Sequence, residues 1–160
     1  FAEDPRAYRV QRVDADARPL APIVREPFFL IDRTQDEIDS VKAFRRAHYD
    51  QMRTGGMSDA GIRDLLATVP IATVKSVFVP GGIHHDENGD LWLQRSVARG
   101  KPNEVDVFSP NGVQRGTVLL PQGFMLSRLR ERFLFGLQGT EEGGTRIVLL
   151  TKPPFARGRR

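Results

Sequence analysis

A chain of 160 residues is long enough for one domain of ordinary size with a real core. Its 24 Lys and Arg against 20 Asp and Glu leave a net charge of +4, which favours solubility without establishing nucleic-acid binding. There is no cysteine, which excludes structural disulfides and thiolate metal sites, and no apolar run nears the roughly 20 residues of a bilayer-spanning helix.

The chain opens at Phe1-Ala2-Glu3-Asp4 with neither an initiating Met nor a basic and apolar leader. No signal peptide is visible, and the expectation is a processed or truncated chain. Residues Tyr8–Asp14 (YRVQRVD) alternate apolar and polar, the period of a half-buried strand, with Tyr8 and Val10 inward and Val13 a further candidate. Asp14-Ala15-Asp16-Ala17 is a polar turn. A partner strand is predicted at Ile23–Arg25, kept short and at an edge by Pro19, Pro22 and Pro27.

Thr34-Gln35-Asp36-Glu37 matches a capping box, in which the Thr34 hydroxyl and the Glu37 carboxylate satisfy each other's amides. Ile38, Val41, Phe44 and His48 or Tyr49 then recur at helical spacing as an apolar stripe, and Gly55-Gly56 ends the helix. A second helix is predicted from Asp59 to Ala67, capped by Ser58, with Ile62, Leu65 and Leu66 on its apolar face and Pro70 barring continuation. The two make a helical insertion over residues 34–68 of an otherwise strand-built chain. It is expected to cap a sheet, with a partner-binding arm as the alternative.

Val74–Val79 reads as a strand broken by Pro80-Gly81-Gly82. The following stretch, Ile83–Leu120, reads as four short strands: one ending near His85, then Leu91–Ser96, Glu104–Phe108 and Gly116–Leu120. Asn88-Gly89-Asp90 and Pro110-Asn111-Gly112 supply the turn residues, because Asn-Gly allows the positive φ of a tight hairpin. Trp92 falls on the opposite face from Leu91 and Leu93. Beyond Pro121, Phe124–Leu129 and Phe133–Leu137 form a hairpin across Arg130-Glu131-Arg132, and Arg146–Thr151 is a third strand.

Second-strand starts at Leu91 and Phe133 lie 42 residues apart (133 − 91). Periods of roughly 40–45 residues with four strands each mark β-propeller blades. A second internal match sets Val107–Gly112 beside Arg12–Ala17, with Ala17 where the turn glycine stands; that copy is degraded or uses a different turn. The predicted fold is mainly β, an incomplete propeller of about two and a half four-stranded antiparallel blades, when a closed ring takes at least about four. Residues 6–27 are a partial blade, 75–120 a complete blade, 123–152 a three-stranded last blade and 153–160 a tail, all in a single domain.

The run Asp86–Leu93 (DENGDLWL), followed by Val105–Gly112 (VDVFSPNG) and Gly116–Pro121 (GTVLLP), resembles bacterial six-bladed β-propellers of the TolB-like type. It is similar in particular to the C-terminal part of secreted members, which also carry a charged helical insertion before the penultimate blade, as Thr34–Pro70 does here. The resemblance implies export to the periplasm or exterior, a binding or scaffold role, and further blades elsewhere in a longer chain. It carries over no catalytic residue.

Candidate chemistry weighs little against packing. His84 and His85 are neighbours on a strand and point to opposite faces, so they do not readily share a metal. Asp86–Asp90 has the look of a calcium loop, but Leu91 and Val97 stand where glycine and glutamate are required. Trp92 is expected between blades, Arg128, Arg130 and Arg132 in solvent at a hairpin, and Arg157–Arg160 in a frayed tail. Ser40, Ser58, Ser76, Ser96, Ser109 and Ser127 lack a nucleophile-elbow context, and neither Gly81-Gly82 nor Gly143-Gly144 forms a phosphate loop. No catalytic, cofactor-binding or metal residue is therefore nominated, and no cofactor is expected. The expected partner is a protein or small molecule, together with the remaining blades, without nucleic acid or a membrane span. The runner-up is part of a lactonase-like propeller hydrolase whose active-site residues lie mainly in other blades. A third reading is a complete small domain that self-associates through open blade edges.

Overall fold

The computed structural model describes residues 7–26, 28–68, 70–140 and 143–154. Strands β1 (Arg9–Val13) and β2 (Pro19–Val24) pair in a first sheet. Strands β3 (Phe78–His85), β4 (Leu91–Arg95), β5 (Asn103–Phe108) and β6 (Gln114–Leu120) form a second, four-stranded sheet in chain order. A third sheet follows from β7 (Phe124–Arg130), β8 (Phe133–Gly139) and β9 (Thr145–Thr151). All pairings are antiparallel, as short turns between consecutive strands require.

The second sheet is the middle layer of three. Alternation along β4 sends Leu91 and Leu93 to one face and Trp92 to the other. On the first face they join Phe78 and Phe108 against Tyr8, Val10 and Ile23 of the first sheet. Trp92, Val105, Val107 and Leu120 instead pack on Phe124, Leu126, Leu129 and Leu134 of the third sheet. Burying a large apolar side chain contributes about 1.5–3 kcal/mol, so these two interfaces hold the layers together.

Several local expectations change. Val13 points away from the core at 58% exposure, because it stands three residues from inward-facing Val10 and strand alternation puts it on the other face. Strand β2 covers Pro19–Val24 rather than Ile23–Arg25, since an edge strand tolerates prolines that donate nothing to a ladder. Pro80-Gly81-Gly82 does not break the chain into two strands. A register shift between Phe78 and Ile83 absorbs those residues within β3. The turn at Ala17 keeps the left-handed form, with φ +62° beside +83° at Gly112, so alanine adopts the glycine conformation there.

Strands β4 and β8 start at Leu91 and Phe133, the expected 42 residues apart, but that offset does not match residues by face. Leu91 is buried against the first sheet, whereas Phe133 lies on the exposed face of the third at 39%. The correspondence that keeps side chains on the same face runs from Leu91 to Leu134, both facing the preceding sheet, an offset of 43 (134 − 91). The reason is turn length: five residues separate His85 from Leu91 but two separate Arg130 from Phe133.

The chain divides into two compact units, Asp32–Lys75 and the remainder. Within the smaller unit lie helices α1 (Gln35–Thr54) and α2 (Asp59–Thr68). The α1 capping box forms as its residues dictate: the Glu37 amide donates to Thr34 Oγ1 at 3.3 Å and the Thr34 amide donates to Glu37 Oε2 at 2.9 Å. An antiparallel bridge between Asp32 and Val74, with the Arg33 amide donating to the Thr73 carbonyl at 2.7 Å, draws the ends of the unit together. Its apolar stripe is shallow. Ile38, Val41 and Tyr49 are half-buried, while Phe44 is 74% exposed and stacks on His48.

Candidate functional site

Two clusters of charged side chains are built into the faces of the second sheet. The first grows from the β3–β4 turn. Asp86 Oδ1 accepts the amides of Asn88 and Asp90 at 2.9 and 3.0 Å, the arrangement by which an aspartate closes a tight turn. Its Oδ2 accepts Trp92 Nε1 at 3.2 Å and Lys152 Nζ at 2.6 Å. The Lys152 ammonium also sits 5.5 Å over the Trp92 ring and 3.2 Å from Glu87. Burial pushes the Asp86 carboxyl up, but the hydrogen bond from Lys152 and the Asp90 amide outweigh it and hold the group below its usual range. Burial works equally against the Lys152 ammonium, and Asp86 and Glu87 more than offset it, leaving that pKa raised. Asp90, one turn residue on, is pushed up by burial despite Arg115 Nε at 3.0 Å.

The second cluster centres on Asp106 in mid-β5, wholly shielded from solvent. Oδ2 accepts the Tyr8 hydroxyl at 2.6 Å and Arg25 Nη1 at 2.8 Å, with Arg95 Nε at 2.9 Å; Oδ1 accepts the Thr117 hydroxyl at 2.6 Å. Arg95 also pairs with Glu104, and Arg25 lies 5.8 Å over the Tyr8 ring. Burial and the carboxylate together drive the Tyr8 phenol far above its ordinary range. On the opposite face, Gln94 donates to the Phe124 carbonyl and accepts the Leu126 amide, both at 2.9 Å, so one side chain stitches β4 to β7.

These groups spend their charges and donors on one another. Their pairing ties Lys152 and Tyr8, which lie outside the second sheet, to its carboxylates and so helps hold the sheets in register. A shallow cavity of about 270 Å³ lies in the helical unit, lined by Lys42, Arg45, Arg46, Leu66, Pro70 and Ile71. Lys42 is paired there with Asp39 at 3.0 Å, and Arg45 donates to the Pro70 carbonyl at 3.4 Å.

His84 lies opposite Trp92 and His85 opposite Leu91, so the imidazoles project from opposite faces of β3. His84 Nε2 is buried with no hydrogen-bond partner among the described residues, and burial lowers its pKa with help from His85. Among the described residues no group of three or more His, Asp or Glu side chains is placed to hold a metal ion. Trp92 has no exposed surface and fills the second core. Arg128 and Arg130 pair with Phe135 and Phe133 on the outer face of the third sheet, Arg132 is exposed in the turn, and Arg157–Arg160 lies outside the described residues. The sequence reading passed over Asp106, Gln94 and Lys152. The available signal was an acid and an amide in strands whose other residues are apolar, since polar groups at such positions persist only when partnered.

Comparison with protein-family models, curated proteins and solved structures finds no match to this chain.

Proposed function

We propose that the three sheets are consecutive blades from the C-terminal portion of a six-bladed β-propeller of the TolB-like type, and that the chain is a non-catalytic binding or scaffold module. The observation that carries this reading is a repeated pattern of faces. In the second sheet the pairs Trp92↔Val107 and Gln94↔Val105 are fully covered by the third sheet. In the third sheet the equivalent pairs are Phe135↔Leu149 and Leu137↔Ile147, offset by 43 on one strand and 42 on the other. These residues keep the apolar character of a covered face, yet Leu137, Ile147 and Leu149 are 42%, 80% and 53% exposed. A further blade on that face would bury them as the third sheet buries their counterparts, each about 1.5–3 kcal/mol if fully covered. The mutual pairing of the charged clusters supports the non-catalytic part. Export to the periplasm or exterior belongs to the same reading and rests on the resemblance alone.

The test is the complete reading frame that contains this chain. Further repeats of the same period, with apolar pairs at these positions, are expected. A frame without them overturns the propeller reading. Inward-facing Glu, Asp, Asn or His from several of those blades would replace the scaffold role with a hydrolase.

A further inference from the structure

The six strands at sheet edges differ in how they are protected against pairing with another chain. Unpaired edges invite such pairing unless bulges, prolines or charges blunt them. Among the described residues, β1 carries a register shift between Val10 and Arg12, and β2 carries Pro19 and Pro22. Strand β3 carries its own shift with Pro80, Gly81 and Gly82, and β6 lies across a shift between Val107 and Phe108 and holds Arg115. A shift between Leu126 and Arg128 marks β7, with Arg128 and Arg130 beside it.

Strand β9 has none of these devices. Its pairing with β8 runs unbroken from Thr145↔Gly139 to Thr151↔Phe133, and it contains no proline. Its one charged residue, Arg146, is turned back on Gln138 Oε1 at 2.9 Å. On the second sheet the matching strand β5 has β6 along this edge, while β9 has no strand there among the described residues.

We propose that this edge pairs antiparallel with the same strand of a second copy, joining two third sheets into one continuous six-stranded sheet. The segment Thr145-Arg146-Ile147-Val148-Leu149-Leu150-Thr151 reads alike in both directions by residue class except at Arg146 and Leu150, which a two-fold axis through Val148 sets opposite each other. A two-fold axis through Val148 sets Thr145 opposite Thr151, Ile147 opposite Leu149 and Val148 opposite itself. Such like pairs stabilise adjacent strands, and self-complementarity is what an isologous contact demands. This register alone uses the full length of the strand. The contact goes beyond the blade reading, because it uses the edge of a sheet and not its face, and it requires that no further strand of a longer chain occupies the edge that β6 fills on the second sheet.

Light scattering on the purified 160-residue chain over a wide concentration range tests the pairing. The expected result is a doubling of molar mass as concentration rises, abolished by Leu149→Lys together with Ile147→Lys. The absence of native cysteine allows a second, register-specific readout. Oxidised Val148→Cys should form a covalent dimer. Arg146→Cys should not, because its symmetry mates would stand four residues apart, roughly 13 Å along the strand, beyond the 7 Å Cα limit of a disulfide at about its most generous. A wild-type monomer at every concentration overturns the proposal. So does a dimer that cross-links equally at both positions or survives the double lysine variant, since it would use another surface.

Discussion

At the scale of single residues, the weight falls on buried polar groups whose partners come from distant parts of the chain. Asp106 gathers Tyr8, Arg25, Arg95 and Thr117, so removing it takes a carboxylate from two guanidinium groups at a sheet interface, of which Arg95 keeps Glu104. Asp106→Ala is expected to cost about 3 kcal/mol, the lower end for breaking a buried pair, because Arg25 keeps partial access to water. Urea unfolding of the variant and the parent measures it. His84 makes a prediction about pH. Its folded pKa lies below the ordinary 6.5, so the unfolded chain binds more protons as pH falls below that value. Its contribution to stability is full above 6.5 and is lost as pH drops through the folded value. Asp86, also depressed, adds a second loss only below the carboxylate value of 3.8. The urea midpoint should therefore fall in two stages on acidification, and His84→Gln should flatten the first stage alone.

At the scale of elements, close approach between strands decides which residues are tolerated. Gly136 in β8 packs beneath Phe124 of β7, and a Cβ there would lie 2.3 Å from the ring and 2.4 Å from the Met125 carbonyl. Backbone cannot yield that far, so Gly136→Ala is expected to cost upwards of about 2 kcal/mol and to loosen the second core. Hydrogen exchange along β7 and β8 would show the loss, and unchanged protection would refute it. Alternation made most strands readable, since Leu91, Trp92 and Leu93 sit on the faces their spacing dictates. Gly136 gave no such signal, because a glycine in a strand looks the same whether it meets solvent or an aromatic ring.

At the scale of the molecule, the chain is two compact units joined at residues whose ends meet. Strands lie about 5 Å apart where they pair, so the bridge from Asp32 to Val74 can be replaced by a short linker. Deleting residues 33–73 across a Gly-Ser link is expected to leave a cooperative β unit. Circular dichroism should lose its helical component and keep the strand signal. Collapse of cooperativity would mean that the larger unit does not stand alone.

Composition and short-range pattern by themselves determined the mainly β class, the two helices with their capping box, and the tight turns. Each depends on neighbours within a few residues: a period of two, a hydroxyl three positions from a carboxylate, a glycine where φ must be positive. Tertiary structure alone decided which face each strand turns to its neighbour, that Lys152 closes on Asp86 and Trp92, and that Asp106 collects partners from the residue before β1, the segment after β2, β4 and β6. Those outcomes depend on turn length and register. A change of one residue in either sends a side chain to the opposite face, and no local pattern records which sheet will be waiting there.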